Sequence, residues 1–579
     1  MRLKRFLRFI SILFLLAGIS LTLLSIFAAQ LGLDNDAGWG KGRILLLLTG
    51  LLLLTGALAT HLHVHVSQFW QPFSRRFPFP KQTAKTVPAA PGFLTRLPIL
   101  NRLSQSPALQ RTLAVSSGVL LALIVFSILI STNISTRSSN YYDQLADGFL
   151  AGQTYLPESP PAALLALENP YDWTTREGID YLWDATLYQG EYYLYWGAAP
   201  ALITALVKLI HPMILLDQTL VWAFWIGISV IFALLLSLLH KQLFPAQPAW
   251  ILIPFASLAG IAMPMLWLTT RPSVYEAAIA SGQFFLLVGL YAALRALWSE
   301  SPNGGWLLLA GFAWGAAINC RLNLVVAVGW FGLCLAYFLF RKNHWTRWLQ
   351  QMTLLALPLI LWVGALAGYN FLRFGDPLET GHKYQLGGPA IPAEYSQVIS
   401  LGYILPSLYS YLIRPYLLEG HTPYISVPFI SEQMWPFFIH LPKYYYYSEP
   451  TAGLLLTTPV VSLAFLPLLK LIMKLKEWLL EKKPTPEMRS DAFLHQFWWL
   501  CAGATLLLFF ILLVFNSTSM RYLADVLPIL LLLSMAGFFW VLRQLQSKPV
   551  WACLISLTAG FLFILSAGLS VLANLSNHY

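Results

Sequence analysis

Apolar runs of about 20 residues recur along this chain, from Phe6–Ala28 near its start to 550–573 near its end. Each is long enough to cross a hydrocarbon core of roughly 30 Å. A chain that is 57% hydrophobic and only 11% charged falls outside the soluble globular class, where charged residues approach about a quarter of the total. The first run follows Arg2, Lys4, Arg5 and Arg8, as in a signal peptide, but its apolar core is long and lacks a small-residue cleavage pattern, so it reads as a retained helix. The pattern predicts an all-α polytopic integral membrane protein with about 13 transmembrane helices. They are expected near 7–28, 44–64, 112–131, 219–239, 251–269, 277–297, 306–320, 324–340, 351–370, 452–471, 494–514, 522–542 and 550–573.

The formal charge of +11 does not mark a nucleic-acid binder, because the positive residues concentrate in short loops between runs, as the positive-inside rule expects. The segment Ser67–Arg111 holds seven Lys or Arg, no acid and several prolines, and reads as a cytoplasmic linker with the N-terminus inside. Arg341, Lys342, His344 and Arg347, and later Lys474, Lys476, Lys482, Lys483 and Arg489, mark two more cytoplasmic loops. Counts of crossings from the two ends differ by one, so one apolar segment after Trp196 does not span. Residues 197–216, with Pro200, Lys208 and His211-Pro212, are the weakest and are expected at the outer interface. The resulting organisation is two N-terminal helices in 1–66, the linker 67–111, and a membrane module 112–370 with an outer loop at 132–196. An aromatic, proline-rich outer loop at 371–450 and C-terminal helices in 451–579 follow, with the C-terminus extracytoplasmic, in the cytoplasmic or inner membrane of the cell. The four cysteines lie in or beside apolar segments and show no disulfide frame or metal spacing.

The stretch from Ser131 to Trp196 concentrates nine of the chain's 25 acidic residues against two arginines, Arg137 and Arg176. In YYDQLADGFLAG, Tyr142, Leu145, Ala146, Phe149 and Leu150 make a helical stripe, and Asp143 and Asp147 stack opposite it. Ser138, Ser139 or Asn140 would cap its start. Such a helix either presents a carboxylate as general base or metal ligand or simply keeps its acids in water. Asp172 and Arg176 are four apart and would pair, unless Arg176 binds a phosphate bidentately. Asp184, within LWDATLY, is partly desolvated and needs a partner.

Beyond the loop, Ser273 and Glu276 have capping-box spacing, while Glu276 and Arg271 could instead face the acidic loop. Arg321, in the polar break INCRLN, is costly at membrane depth unless paired or in a water-filled cavity, which makes it a phosphate-binding candidate. Arg521 and Asp525 are again four apart. An internal ion pair is the first reading there, and phosphate binding by Arg521 the second.

In order along the chain, LADGFLAGQTYL, NPYD, LWDATLYQGEYYLYWGAAPAL, RPSVYE, YNFLRFGDPLETGHKYQL and MRYLADVLP resemble bacterial members of the GT-C superfamily of polytopic glycosyltransferases. That superfamily includes protein O-mannosyltransferases, lipid A aminoarabinose transferases and oligosaccharyltransferase catalytic subunits. The resemblance covers most of the chain from about residue 112. It implies transfer of a sugar from a polyprenyl-phosphate donor to a hydroxyl of an exported glycan, lipid or protein. Asp143, Asp147 or Asp184 would then be the catalytic carboxylate, and Arg176, Arg321 and Arg521 would bind the donor phosphate. Glu276, Tyr193, Tyr195 and Trp196 would contact substrate, and a divalent metal on Asp143, Asp147 and Glu276 is one option. Many members carry an Asp-Glu pair where this chain has Ser138-Ser139.

Two other classes compete. A polysaccharide polymerase or ligase would use a diphosphate-linked glycan and need no helix-borne carboxylate. A transporter or flippase of lipid-linked substrates would carry inverted repeats with matching broken helices, a pattern this sequence lacks.

Overall fold

The structure, a computed structural model, describes residues 106–132, 139–299, 304–388, 395–420, 424–427, 435–446, 449–467 and 489–575, with the isolated positions 21 and 49. The helices expected at 7–28 and 44–64, and the linker up to residue 105, lie outside the described residues.

Long helices dominate: α1 (Pro107–Thr132), α4 (Asp217–Leu243), α7 (Val274–Trp298), α9 (Val325–Lys342), α10 (Trp345–Phe374), α12 (Arg489–Val514), α13 (Leu527–Gln544) and α14 (Pro549–Leu575). Among the described residues, these account for eight helices long and apolar enough to cross a membrane, which makes this a multi-pass membrane protein. A ninth crossing is counted if α5 (Leu252–Ile261) and α6 (Met263–Thr270) act as one span bent by 41°. The bend sits at Ala262, whose backbone is extended just before Met263-Pro264; Pro264 has no N–H with which to continue the ladder of α5 and is suited to the first turn of a new helix.

Other helices fall short of the membrane's thickness. α3 (Ala199–Ile210), within the segment expected at the outer interface, has 12 residues, about 18 Å at 1.5 Å per residue. α8 (Gly304–Cys320), with 17 residues, is wedged between α7 and α10, and the short α11 (Ile404–Leu412) packs on α12. The span expected at 452–471 is corrected in its described part. A single turn at Leu454–Thr457 gives way at Thr458, and Pro459–Phe465 continues as a 3-10 helix packed on α13.

The acidic loop is folded. It contains α2 (Tyr141–Leu150), a 3-10 turn at Trp173–Arg176 and a hairpin of β1 (Thr186–Tyr188) and β2 (Glu191–Tyr193). The hairpin turns on Gln189 and Gly190, both with positive φ, the geometry of a two-residue turn that follows strand twist. The segment after α10 docks on this hairpin: Leu386 N–H donates to Ala185 O at 2.8 Å, and Thr186 bridges to Gln385.

α2 starts differently from the expectation. Asn140 is its N-cap but makes no side-chain cap bond. Asp217, at the first residue of α4, instead accepts the Tyr141 and Tyr142 amides at 3.0 and 3.1 Å, together with the Ser139 hydroxyl at 2.6 Å. Ser139 Oγ in turn accepts from Val274 N–H at 3.0 Å. One buried carboxylate and one hydroxyl therefore tie the starts of α2, α4 and α7 together, satisfying amides that would otherwise be orphaned.

Candidate functional site

The loop meets the membrane helices at Tyr195-Trp196-Gly197. A Cβ on Gly197 would lie 1.7 Å from Asn319 O, so only glycine allows the loop to lie against the break between α8 and α9. Trp196 packs edge-on against Tyr275 at 5.1 Å and lies 4.0 Å from the Tyr195 ring. Both polar breaks, 271–276 and 319–323, thus border the end of the acidic loop.

Two ion-pair groups occupy this junction. Arg321 donates through Nε to both oxygens of Asp525, at 3.0 and 2.7 Å, while Asn323 Nδ2 adds a bond to Asp525 at 2.9 Å. Gln283 Nε2 donates to the Asp525 carbonyl at 3.1 Å. Asp525 is wholly buried and Arg321 is 15% exposed. Among the described residues, neither Nη of Arg321 is engaged by a protein acceptor, and the guanidinium lies over Tyr522 at 5.3 Å. The second group centres on Arg521, which pairs with Glu449 at 2.6 Å and Glu276 at 3.7 Å and lies over Tyr275 at 4.4 Å.

The expected Arg521–Asp525 pair does not form. Met520–Asp525 is a 3-10 helix, and at three residues per turn positions four apart point about 120° away from each other. The capping box at Ser273 is also altered, because Ser273 Oγ donates to the Glu276 carboxylate instead of accepting a helix amide, while the Val274 amide donates to Ser139.

Asp184 stands at the rim of this junction with φ 61°, a left-handed backbone that aspartate adopts more readily than most residues. Burial pushes its carboxyl up to about 7. Glu449 pushes the same way, while Arg521, a bond from Gln385 and Arg176 pull against it. The Tyr195 hydroxyl lies in the same field: burial, then Asp184 and Tyr522, hold it well above its ordinary pKa, with Arg521 and Arg321 opposing. His382 meets the other edge of Tyr195, ring centres 5.0 Å apart, with Nδ1 2.9 Å from the Tyr395 hydroxyl. Burial drives its imidazole down to about 4, against the pull of Glu379, so it is neutral at pH 7.

Several candidates are employed elsewhere. Asp143 is buried rather than turned to water; it accepts Lys208 Nζ and Leu215 N–H, each at 2.9 Å. Lys208 also reaches Asp147 at 2.6 Å, so its ammonium lies where a metal held by these two acids would sit. Glu276 faces Arg521 instead, and Asp143, Asp147 and Glu276 do not form a ligand set. Among the described residues, no group of three or more His, Cys, Asp or Glu is arranged to hold a metal.

Arg176 is spent on structure. Its guanidinium donates to Leu386 O at 2.6 Å and to Gly387 O, pinning the segment after α10 to the loop. Asp172 does not pair with it but accepts the Thr174 amide and hydroxyl at 3.0 and 2.7 Å. Tyr193 lies on the opposite face of β2 from Tyr192, packed on Phe374 at 5.5 Å, away from the Arg321 and Arg521 groups.

The junction also recruits residues that no sequence pattern singled out, namely Asp217, His382 and Glu449. Asp217 is 78 positions from Ser139 and Glu449 is 72 from Arg521, while His382, close in sequence to Tyr395, meets the Tyr195 ring from far along the chain. No family model, curated protein or solved structure matches this chain.

Proposed function

We propose that this protein is a GT-C-type membrane glycosyltransferase that moves a sugar from a polyprenyl-phosphate donor to a hydroxyl of an exported glycan, lipid or protein. The observation that carries the reading is Arg321. Its Nε is fixed by the buried Asp525 carboxylate, and among the described residues no acceptor takes its two Nη groups, which leaves them for an incoming anion, as a forked phosphate contact requires. Arg521 adds a second cation whose charge is shared with Glu276 and Glu449. Tyr195 and Trp196 form an aromatic wall suited to a sugar face.

In this reaction Asp184 takes the proton of the acceptor hydroxyl as its oxygen attacks the anomeric carbon. The bond between that carbon and the phosphate oxygen breaks, and its electron pair leaves on the lipid phosphate. Charge growing on that oxygen meets the Arg321 guanidinium, a stabilisation aimed at the transition state. A carboxyl titrating near 7 is matched to proton transfer at neutral pH. The donor site faces outward, with the N-terminus of the chain in the cytoplasm and the C-terminus outside.

The reading is tested by photo-crosslinking with a diazirine-bearing polyprenyl phosphate. Labelling on peptides spanning Arg321 or Tyr522, competed by unlabelled polyprenyl phosphate and weakened by Arg321→Lys, supports it. Labelling that ignores the competitor and the substitution contradicts it.

A further inference from the structure

The ends of α4 and α7 opposite Asp217 and Glu276 enclose a separate cavity of about 300 Å³, lined among others by Ser237, Lys241, Gln242, Tyr291 and Arg295. We propose that it holds the phosphate of an anionic glycerophospholipid, with the acyl chain lying along α4.

Basic residues in a last helical turn are ordinary, since they complement the helix dipole. Three further features point to a ligand. First, Arg295 is braced: its Nη1 donates to the Tyr291 hydroxyl at 3.2 Å and its guanidinium lies 4.8 Å over the Trp306 ring. The side chain is thereby held at the cavity rather than left free to spread into solvent. Second, among the described residues the lining carries no carboxylate, and neither Lys241 nor Arg295 pairs with one. The cavity therefore presents two positive charges with hydroxyl and amide donors beside them. Third, Ile226, Val230 and Leu234 are exposed at 40, 48 and 45%. Their spacing of four places them on one face of α4, and Lys241, two turns beyond Leu234, continues that face. An apolar track ending in a cationic cavity at a helix terminus matches the two chemistries of a phospholipid, and basic pockets between membrane helices recognise such headgroups. The cavity lies on the side that the charge pattern marks as cytoplasmic, away from the Arg321 junction.

Native mass spectrometry of the full chain in detergent, titrated separately with phosphatidylglycerol, phosphatidylcholine and polyprenyl phosphate, tests this without any assay of activity. The expected result is a phosphatidylglycerol adduct that phosphatidylcholine does not reproduce, weakened at least tenfold in the K241Q/R295Q double variant and unchanged in R321K. Ser237→Glu, which keeps both cations but adds a carboxylate, is expected to weaken it likewise and serves if the double variant folds poorly. Equal retention by parent and Ser237→Glu overturns the proposal. So does an adduct formed with polyprenyl phosphate and not with phosphatidylglycerol that these variants abolish, since that assigns the cavity to a different lipid.

Discussion

Arg321 donates through one nitrogen to both carboxylate oxygens of Asp525, 204 residues further along the chain. That contact welds the break between α8 and α9 to the 3-10 turn before α13. It also fixes which part of the guanidinium remains to meet a ligand.

Removing one partner leaves the other buried and uncompensated, which typically costs about 3–5 kcal/mol. Arg321→Ala is therefore expected to lower the unfolding midpoint sharply, and Arg321→Ala combined with Asp525→Leu to recover much of it. Thermal unfolding in nanodiscs of the two single variants and the double variant measures the coupling. Additive losses would show that the pair contributes nothing beyond its parts.

Asp184 predicts a pH profile. As a base it must be ionised, so turnover should climb as pH rises through about 7 and level off above it. Asp184→Asn tolerates the left-handed backbone and should cost about 10²–10⁴ in rate without lowering the unfolding midpoint, because it removes a carboxylate whose charged form burial disfavours.

His382 predicts the opposite kind of pH effect, on stability. Its folded pKa of about 4 lies below the ordinary 6.5, so the unfolded chain binds the proton more readily. The stability associated with neutral His382 is complete above about 6.5 and drains away as pH falls towards 4, by up to roughly 3 kcal/mol. Asp184, raised instead of lowered, works in the reverse sense between about 4 and 7. The comparison that isolates His382 is the parent against His382→Asn across this range, and the gap between them should narrow as pH drops.

Lys208 neutralises two acids of α2 at once, so Asp143 and Asp147 are assigned to structure. Asp143→Asn should reduce stability by about 1–3 kcal/mol through its weakened bonds to Lys208 and Leu215, with turnover per folded molecule retained. Limited proteolysis across 197–216 reports the loosening of α3. A loss of turnover without loss of stability would move the base from Asp184 to Asp143.

Much of this architecture was legible in the sequence because apolar length alone marks a membrane helix. The eight long helices fall where the runs predict them, and the segment 197–216 holds a helix of 12 residues. Local spacing was a poorer guide to partners. Asp172 with Arg176, and Arg521 with Asp525, are both four apart, yet neither forms an ion pair, because both stretches are 3-10 rather than α-helical. The start of α2 shows the limit most clearly: Ser139 and Asn140 have capping chemistry, yet the Tyr141 and Tyr142 amides are taken by Asp217 from the start of α4. Contacts such as Asp217 with Ser139, or Arg521 with Glu449, join residues more than 70 positions apart and depend on how the helices pack, which no local pattern encodes.

The most direct test of the transferase reading is the release of polyprenyl phosphate from a panel of polyprenyl-phosphate hexoses, pentoses and aminosugars. The purified protein in nanodiscs would be supplied with an extract of exported glycans and lipids, and the lipid product followed by mass spectrometry. The account predicts release from at least one donor by the parent chain, at least a hundredfold slower with Asp184→Asn and with Arg321→Lys. Release that is equally fast in both variants, or absent for every donor while the folded parent moves lipid-linked sugars across a bilayer, would contradict it.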